Sequence, residues 1–514
     1  MTKYLMKTLL ACCSVLALTA CSRGTEEAAS APSAESRDGL NRPNIVLIIA
    51  DDLGWNDIGA YGLEGVETPN IDNLATQGVK FELAFLAASS CSPSRASIIT
   101  GRYPHNTGAE QLHWPLPADS STFVQYLGDA GYYTAAAGKW HLGDDIRHHF
   151  DDIFDKSAAN RSISNDSETA TVEVANDVPI NDGSGAQAWV STLRDRPRDK
   201  PFFVWFAADD PHRPYVGGTL SSPTRSEQIT VPPSLPDTVV VRQDLALYFD
   251  EVRRLDAYVG AVLAELKAQD VFDNTVVLFI SDNGRPFPRA KGTLYDDGVR
   301  TPLIVSWPSV VSGNTRSESL VSTVDIAPTL LELAGVSPIP QLDGHSFSQI
   351  IADPSLQIRD YAFSERAWHD YEDHIRSVRS SCCRLVVNSY RDLPLTPPAD
   401  AMTSPTFAEI RRLRDAGALT DVQSRIFDSP RQSEEFYDLR QDPDEFTNLI
   451  DDARYKDLIN QHRRALQDWS LATNDYQPSV RTPDEFSRET GEPLPNRRFP
   501  RPSKLDTYGT SGEY

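Results

Sequence analysis

Cysteine is scarce in this chain, and basic excess, internal repeats and long apolar runs are missing. Six cysteines in 514 residues, two of them the adjacent Cys382 and Cys383, cannot supply the paired framework that staples small secreted domains. Adjacent cysteines do not form an ordinary unstrained bridge, so Cys382 and Cys383 read as core or incidental residues. No Cys-x-x-Cys pair occurs, and His148 and His149 lack partners at ligand spacing, which excludes a structural zinc site. Basic residues (49) are well outnumbered by acidic ones (73), for a net charge of -24. That argues against a nucleic-acid partner and makes any polyanionic substrate depend on a local cationic pocket. The plain reading of the charge is a solvated acidic surface. The apolar stretch at 9–18 is too short to span a bilayer as a permanent helix. What remains, 40% hydrophobic and 24% charged, is ordinary for a globular protein long enough for one large and one smaller domain.

The N-terminus reads as a targeting segment. Lys3 and Lys7 precede the apolar stretch, and Leu18-Thr19-Ala20-Cys21 follows. This resembles a bacterial lipoprotein signal in which Cys21 is lipidated and becomes the mature N-terminus. An ordinary cleaved signal peptide is the alternative. Residues 22–38 are rich in Ala, Ser and Glu, as in a flexible tether. The expected layout is a signal at 1–20, a tether at 21–42, a catalytic domain at 43–355, a smaller domain at 356–475 and an irregular tail at 476–514. The expected location is a bacterial membrane, the outer membrane facing the periplasm or the cell surface, touched only through the lipid. Its partners there are the lipoprotein export and lipidation machinery.

Residues 44–50 form a continuous apolar, β-branched run, as in a parallel strand buried on both faces, and end in Asp51-Asp52. Two carboxylates there are costly unless paired or bound to a cation. The pattern recurs. Residues 133–137 lead into Gly138-Lys139-Trp140-His141, residues 202–207 into Asp209-Asp210-Pro211-His212, and residues 275–280 into Ser281-Asp282-Asn283-Gly284. Leu245, Tyr248, Phe249, Val252, Leu255, Val259, Val262 and Leu266 fall at helical spacing between the last two. Alternating strands and helices predict an α/β fold with a large, mostly parallel sheet between helices, followed by a smaller α+β domain. Ligand sites in such sheets lie at the carboxyl ends of strands. Asp51, Asp52, Asp282 and Asn283 offer only oxygen, which suits calcium or magnesium. Lys291, in a loop shortly after Asn283, can aim a cation at an anion. Cys91 stands alone where the sequence predicts a helix start, with Arg95 four residues on, and by itself reads equally as a small buried hydrophobe.

Cys91-Ser92-Pro93-Ser94-Arg95 with Thr100-Gly101-Arg102, Gly138-Lys139-Trp140-His141, Ser281-Asp282-Asn283-Gly284 and Tyr437-Asp438-Leu439 before Asp442-Pro443 and Asn448-Leu449 occur together and in order. The chain therefore resembles the calcium-dependent type I sulfatases of the alkaline-phosphatase superfamily, over nearly the whole of residues 44–469. The resemblance implies that a formylglycine-generating maturation enzyme oxidises Cys91 to 3-oxoalanine before folding. The hydrate is a geminal diol: one hydroxyl attacks sulfur, and the other lets the enzyme-sulfate collapse back to aldehyde. It implies one Ca2+ held by Asp51, Asp52, Asp282, Asn283 and the modified Cys91. Arg95 and Lys139 would stabilise the alkoxide, His141 would act as base, and His212 and Lys291 would hold the sulfate, His212 protonating the leaving oxygen.

Ser281 to Pro288, Arg376-Ser377-Val378-Arg379 and Ser404-Pro405-Thr406-Phe407 look most like the sulfamidase branch. Lys291, where sulfamidases tend to carry arginine, and Asp297, where many sulfatases carry glutamate, point instead to a sulfate ester. The expected substrate is a sulfated polysaccharide or its oligosaccharides, such as ulvan or a heparin-like glycan, with an N-sulfoglucosamine sulfohydrolase as the alternative. A phosphatase or phosphonate hydrolase of the superfamily is a further rival, lacking ligands for the second metal that a phosphate dianion usually calls for. A catalytically dead glycan-binding lipoprotein is the rival from outside catalysis. His113, Arg213, His369, Asp370, His374 and Arg376 are polar candidates for binding the sugar, each also readable as ordinary surface.

Overall fold

The continuous apolar run at residues 44–50 becomes strand β1 (Asn44–Ala50), buried along its whole length. In the computed structural model, residues 42–155 and 183–495 are described, and Cys21 with the expected signal lies outside them. Strand β1 needs neighbours on both edges and apolar cover on both faces, and has all four. It pairs in parallel with β5 (Phe202–Ala207), Ile45 opposite Phe203, and with β6 (Thr275–Ser281), Asn44 opposite Thr275. Adding β2 (Gly78–Phe85), β3 (Tyr133–Gly138), β4 (Asp152–Phe154), β7 (Leu303–Ser306) and β8 (Thr315–Ser322) gives an eight-stranded sheet, ordered β4-β3-β5-β1-β6-β7-β2-β8. Only β7 runs against its neighbours β6 and β2; the other pairings are parallel.

Because side chains alternate along a strand, β1 feeds two cores. Val46, Ile48 and Ala50 join the cluster beneath the helix Val239–Ala268, which buries all eight apolar residues read from its spacing. Ile45, Leu47 and Ile49 join the opposite cluster, with Ile98, Ile99, Phe123, Leu127, Ile326 and Leu330 from helices on the other face. The fold is therefore the α/β sandwich that the alternating pattern implies.

The smaller sheet is an antiparallel meander of β9 (Ala362–Arg366), β10 (Ile375–Arg379), β11 (Cys383–Asn388) and β12 (Glu434–Asp438), in the order β12-β11-β10-β9. The helix Lys456–Thr473 lies on it, contributing Ile459 to a core with Val378, Leu385 and Phe436. An apolar cluster of Phe85, Leu86, Leu294 and Val299 with Ala362, Ile375 and Val386 joins the two sheets. At the same junction Arg384, fully buried, sits between Asp296 and Glu445. No described helix is long and apolar enough to cross a membrane.

One expectation holds in part and is corrected in part. Cys383 lies in the core with Val378 and Leu385, and Cys382 packs against it. They are not separate thiols: the tight turn between β10 and β11 sets the two side chains together, and their sulfurs are bonded. Cys91 is thereby the free cysteine among the described residues.

Candidate active site

Four strand ends meet at one point. Ala50, Gly138, Ala207 and Ser281 finish adjacent parallel strands, so the residues after them are neighbours in space. Asp51 is held by its backbone N–H to the Asp210 carbonyl (3.0 Å), and Asp282 by its own to the Ala50 carbonyl (3.1 Å). Gly138, at φ +99, makes the turn that sends Lys139 inward; a Cβ there would strike the carbonyl of Ala207.

The helix Cys91–Thr100 closes the site from one side. All ten of its residues are buried, including Ser94, Ser97 and Arg95. Gly101, left-handed at φ +68, ends it by donating to the Ser97 carbonyl. Arg95 reaches back: Nε lies 2.8 Å from Asp282 Oδ2 and Nη2 lies 3.9 Å from Asp51 Oδ1. Lys139 Nζ pairs with Asp51 Oδ2, and Asn283 Nδ2 donates to Asp52 Oδ1 and lies 3.8 Å from Cys91 Sγ. The loop after Asn283 is tied to the start of this helix, with Gly292 N–H donating to Ser89 Oγ (2.9 Å), and it places Lys291 Nζ 2.7 Å from Asp52 Oδ2. His212 brings Nε2 to 3.7 Å from the same oxygen, while its Nδ1 meets the Arg213 carbonyl. His141 Nε2 is 2.8 Å from His113 Nδ1.

The electrostatics follow from crowding charge where water is excluded. Burial opposes ionisation of Asp51, yet Lys139, His212 and Arg95 hold its carboxyl below the usual range. Burial pushes Asp52 and Asp282 up, and the charge of Asp51 adds to both. Burial lowers His141, with Lys139 and His113 adding repulsion, and lowers His212 to about 4, with Lys291 adding. Burial also drives the Cys91 thiol far above its ordinary value, outweighing the pull of Lys291 and Lys139. An unmodified Cys91 is thus a neutral thiol and a poor nucleophile, despite its place at a helix start.

The donor set fits a hard divalent cation. Asp51 Oδ1 and Asn283 Oδ1 are buried without a hydrogen-bond partner. Asp51, Cys91 and Asp282 each offer an atom within 4.8 Å of the others, as do Asp52, Cys91 and His212. Three carboxylates and an amide oxygen are the ligands calcium takes.

All ten residues expected to act on or hold the reacting group are brought together. The sugar-binding candidates divide. His113 touches His141, and His369 Nδ1 lies 2.7 Å from Ser90 Oγ beside the helix start. Asp370 accepts from the Ala399 N–H (2.8 Å). Arg213 follows His212 but is spent inside the protein, paired through both terminal nitrogens with Asp244 and stacked on Tyr215 and Phe287. His374 bonds Ser389 and the Tyr476 carbonyl, and Arg376 grips Asp475, so both fasten the C-terminal segment and are not brought to the site.

Asp400 was not visible beforehand. Its Oδ2 lies 3.1 Å from Lys291 Nζ and 3.5 Å from His212 Nε2. It arrives on the short helix Ala399–Met402, between β11 and β12, with no motif to mark it.

A family model described as Sulfatase matches residues 43–336, and one described as N-sulphoglucosamine sulphohydrolase, C-terminal, matches residues 289–391. The chain is 31% identical to human N-sulphoglucosamine sulphohydrolase over 494 residues, covering 88% of this chain and 94% of that one. It is 28% identical to an ulvan-active sulfatase of Formosa agariphila over 474 residues, covering 84% and 76%. A solved structure in complex with D-glucosamine-2-N,6-O-disulfate superposes with a TM-score of 0.63 at 19% identity, covering 85% of this chain and 99% of that one. A 2-O glycosaminoglycan sulfatase structure gives 0.63 at 21% identity, covering 86% and 95%.

Proposed function

The chain belongs to the sulfatase family, a family of sulfuric ester hydrolases, and from that membership we propose that it removes sulfate from a sulfated glycan, through a formylglycine made from Cys91 and a calcium ion. The observation that carries this reading is the meeting of Asp51, Asp52, Asp282 and Asn283 with Arg95, Lys139 and Lys291 around Cys91.

Asp51, Asp52, Asp282, Asn283 and the modified Cys91 would hold the ion, which when bound neutralises sulfate oxygens and lowers the pKa of the nucleophile. The hydrated formylglycine supplies a hydroxyl to attack sulfur and a second one whose loss of a proton expels sulfate. Arg95 and Lys139 stabilise negative charge at position 91. Lys291 and His212 take the sulfate oxygens. With Nδ1–H fixed on the Arg213 carbonyl, His212 presents Nε2 to the substrate; burial and Lys291 keep the ring neutral in the empty site, so Nε2 would take up a proton as the anionic substrate enters and pass it to the departing oxygen. His141, lowered by burial and by Lys139, is a neutral base ready to accept a proton. Groups of these kinds contribute about 10²–10³-fold each.

Charge balance favours sulfate over phosphate. Four carboxylates (Asp51, Asp52, Asp282 and Asp400) face three fixed cations (Arg95, Lys139 and Lys291). One negative charge is left over, and a divalent ion turns it into one positive charge. A monoanionic sulfate ester adds one negative charge to that site and a phosphate monoester dianion adds two, so the dianion is the less well compensated.

The preferred substrate is an O-sulfate on a sugar. N-sulfate hydrolysis is the second reading, favoured by the match at residues 289–391. We also propose export and lipidation at Cys21, supported by Lys3, Lys7 and the apolar stretch before it. The test uses protein made alongside a formylglycine-generating enzyme. Sulfate release is measured on O-sulfated and N-sulfated glucosamine and on ulvan oligosaccharides, with the Cys91 peptide weighed in parallel. Release that disappears in Cys91→Ala, with an aldehyde at position 91, is the expected result; full turnover with an intact thiol overturns the mechanism.

A further inference from the structure

We propose that Asp400 selects the sugar, its carboxylate reading a hydrogen-bond donor, hydroxyl or amine, on the carbon next to the one that bears the scissile sulfate. This rests on the function proposed above and deepens it.

The acids of the site fall into two groups. The side chains of Asp51, Asp52 and Asp282 are 0% exposed, whereas that of Asp400 is 22% exposed, beside His212 at 29%. Asp400 is therefore the carboxylate at the mouth, within reach of whatever leaves. Its Oδ1 accepts from the Ala401 N–H (2.7 Å), and its Oδ2 faces Lys291 Nζ (3.1 Å) and His212 Nε2 (3.5 Å). A carboxylate offers about four lone-pair positions, so acceptor capacity remains.

The placement is built. Asp370 Oδ2 accepts the Ala399 N–H at 2.8 Å and holds the start of the helix that carries Asp400. Beyond it, Ser404 Oγ accepts from the Phe407 N–H and Thr406 donates to Asp244, the residue that also holds Arg213 next to His212. Asp400 and His212 are thus fastened to one internal frame.

Chemistry then narrows what Asp400 can touch. Lys291 holds the sulfate and His212 meets the leaving oxygen, so an acceptor within hydrogen-bond reach of both lies beside the substituent adjacent to that oxygen. It cannot contact the sulfate itself, because two anions repel. It accepts from a neutral hydroxyl or a charged amine and opposes a second sulfate or a uronate carboxylate there.

The experiment uses the matured full chain and glucosamine derivatives bearing one sulfate at O3, O4 or N2, each with the neighbouring ring hydroxyl free or O-methylated. A parallel assay uses 4-nitrophenyl sulfate, which has no such neighbour. The wild type is expected to prefer the free hydroxyl by about 10- to 100-fold in kcat/KM, mostly through KM, the strength of one hydrogen bond to a charged group. In Asp400→Ala that preference falls to about unity, and in Asp400→Asn, which keeps an oxygen acceptor, it is intermediate. Persistence of the full preference in Asp400→Ala overturns the proposal. So does a loss confined to kcat and equal on every substrate, 4-nitrophenyl sulfate included, since Asp400 would then act only through Lys291 or His212. If Asp400→Ala does not fold, Asp400→Asn carries the same comparison. Absence of wild-type sulfate release from every substrate instead overturns the proposed function, and this inference falls with it.

Discussion

Replacing Asp52 by asparagine should separate a fold residue from an ion ligand. Asp52 sits at φ +71, a left-handed conformation that asparagine tolerates almost as well as aspartate. Its Oδ2 accepts from Lys291 and its Oδ1 from the Asn283 amide, whose own oxygen lacks a partner. In Asp52→Asn, the new carbonyl can keep Lys291, and Asn283 can rotate to present its oxygen to the new amide. Lys291 also retains Asp400. With the ion chelated, Asp52→Asn should therefore melt no lower than wild type, since a crowded carboxylate has been removed. On the proposed function, calcium at about 1,000 times its Kd would stabilise wild type by about 4 kcal/mol. If the loss of one anionic ligand weakens binding about 100-fold, roughly 1.4 kcal/mol of that remains. At about 2.1 cal/mol/K per residue, the compact unit Arg42–Tyr514 unfolds with an entropy near 1 kcal/mol/K. Calcium should thus raise the melting temperature by about 4 °C in wild type and by about 1–2 °C in Asp52→Asn. Calorimetry with EDTA and with calcium reads both numbers without any substrate. Equal calcium shifts, or a chelated variant several degrees below chelated wild type, would refute the reasoning.

Arg384→Met takes from Glu445 its ion-pair partner at the junction of the two sheets, while Asp296 keeps Arg379 and Arg300, and urea unfolding should show a loss of about 3 kcal/mol. Gly138→Ala must hold φ +99 and meet the Ala207 carbonyl, so a loss of about 3 kcal/mol or more is expected, with sulfate release falling further as Lys139 is displaced. Burial raises Asp256 from 3.8 to about 6, against the hydrogen bonds from Ile71 and Asn70. The folded state then keeps a proton that the unfolded chain has released, so stability should drop by about 3 kcal/mol as pH rises from about 4 to 6. Asp256→Asn, which keeps an acceptor for both backbone N–H groups, should flatten that slope in urea titrations; an unchanged slope assigns it elsewhere.

The central strands were legible in the sequence because a strand buried on both faces reads as one unbroken apolar run, as β1 and β5 do. Strands β2 and β8 were not, since Lys80, Glu82, Arg316 and Glu318 interrupt them where one face reaches water. Asp51, Asp52, Lys139, Asp282 and Asn283 were legible for a related reason: each follows a strand end, and parallel neighbours bring strand ends together. Arg213 and Arg376 misled because a linear sequence does not disclose that Asp244 and Asp475 consume their charges. Asp400 escaped notice because its position comes from the return of a loop 109 residues beyond Lys291. The bonded pair Cys382–Cys383 was hidden because adjacency argues against bonding, and only the turn geometry reverses that.

The central place of β1 also sets a schedule for synthesis. Among the described strands it is the first made, yet the backbone that pairs with its start lies 158 residues downstream in β5 and 231 in β6. At about 5–20 residues per second, the ribosome takes roughly 10–50 s to deliver the later partner. Until β5 emerges an uncharged Asn-Ile-Val-Leu-Ile-Ile-Ala segment carries two unpaired edges, and until β6 emerges it carries one. Such a segment adheres to any other exposed strand. Until β6 emerges, that segment needs cover from something other than its final neighbours.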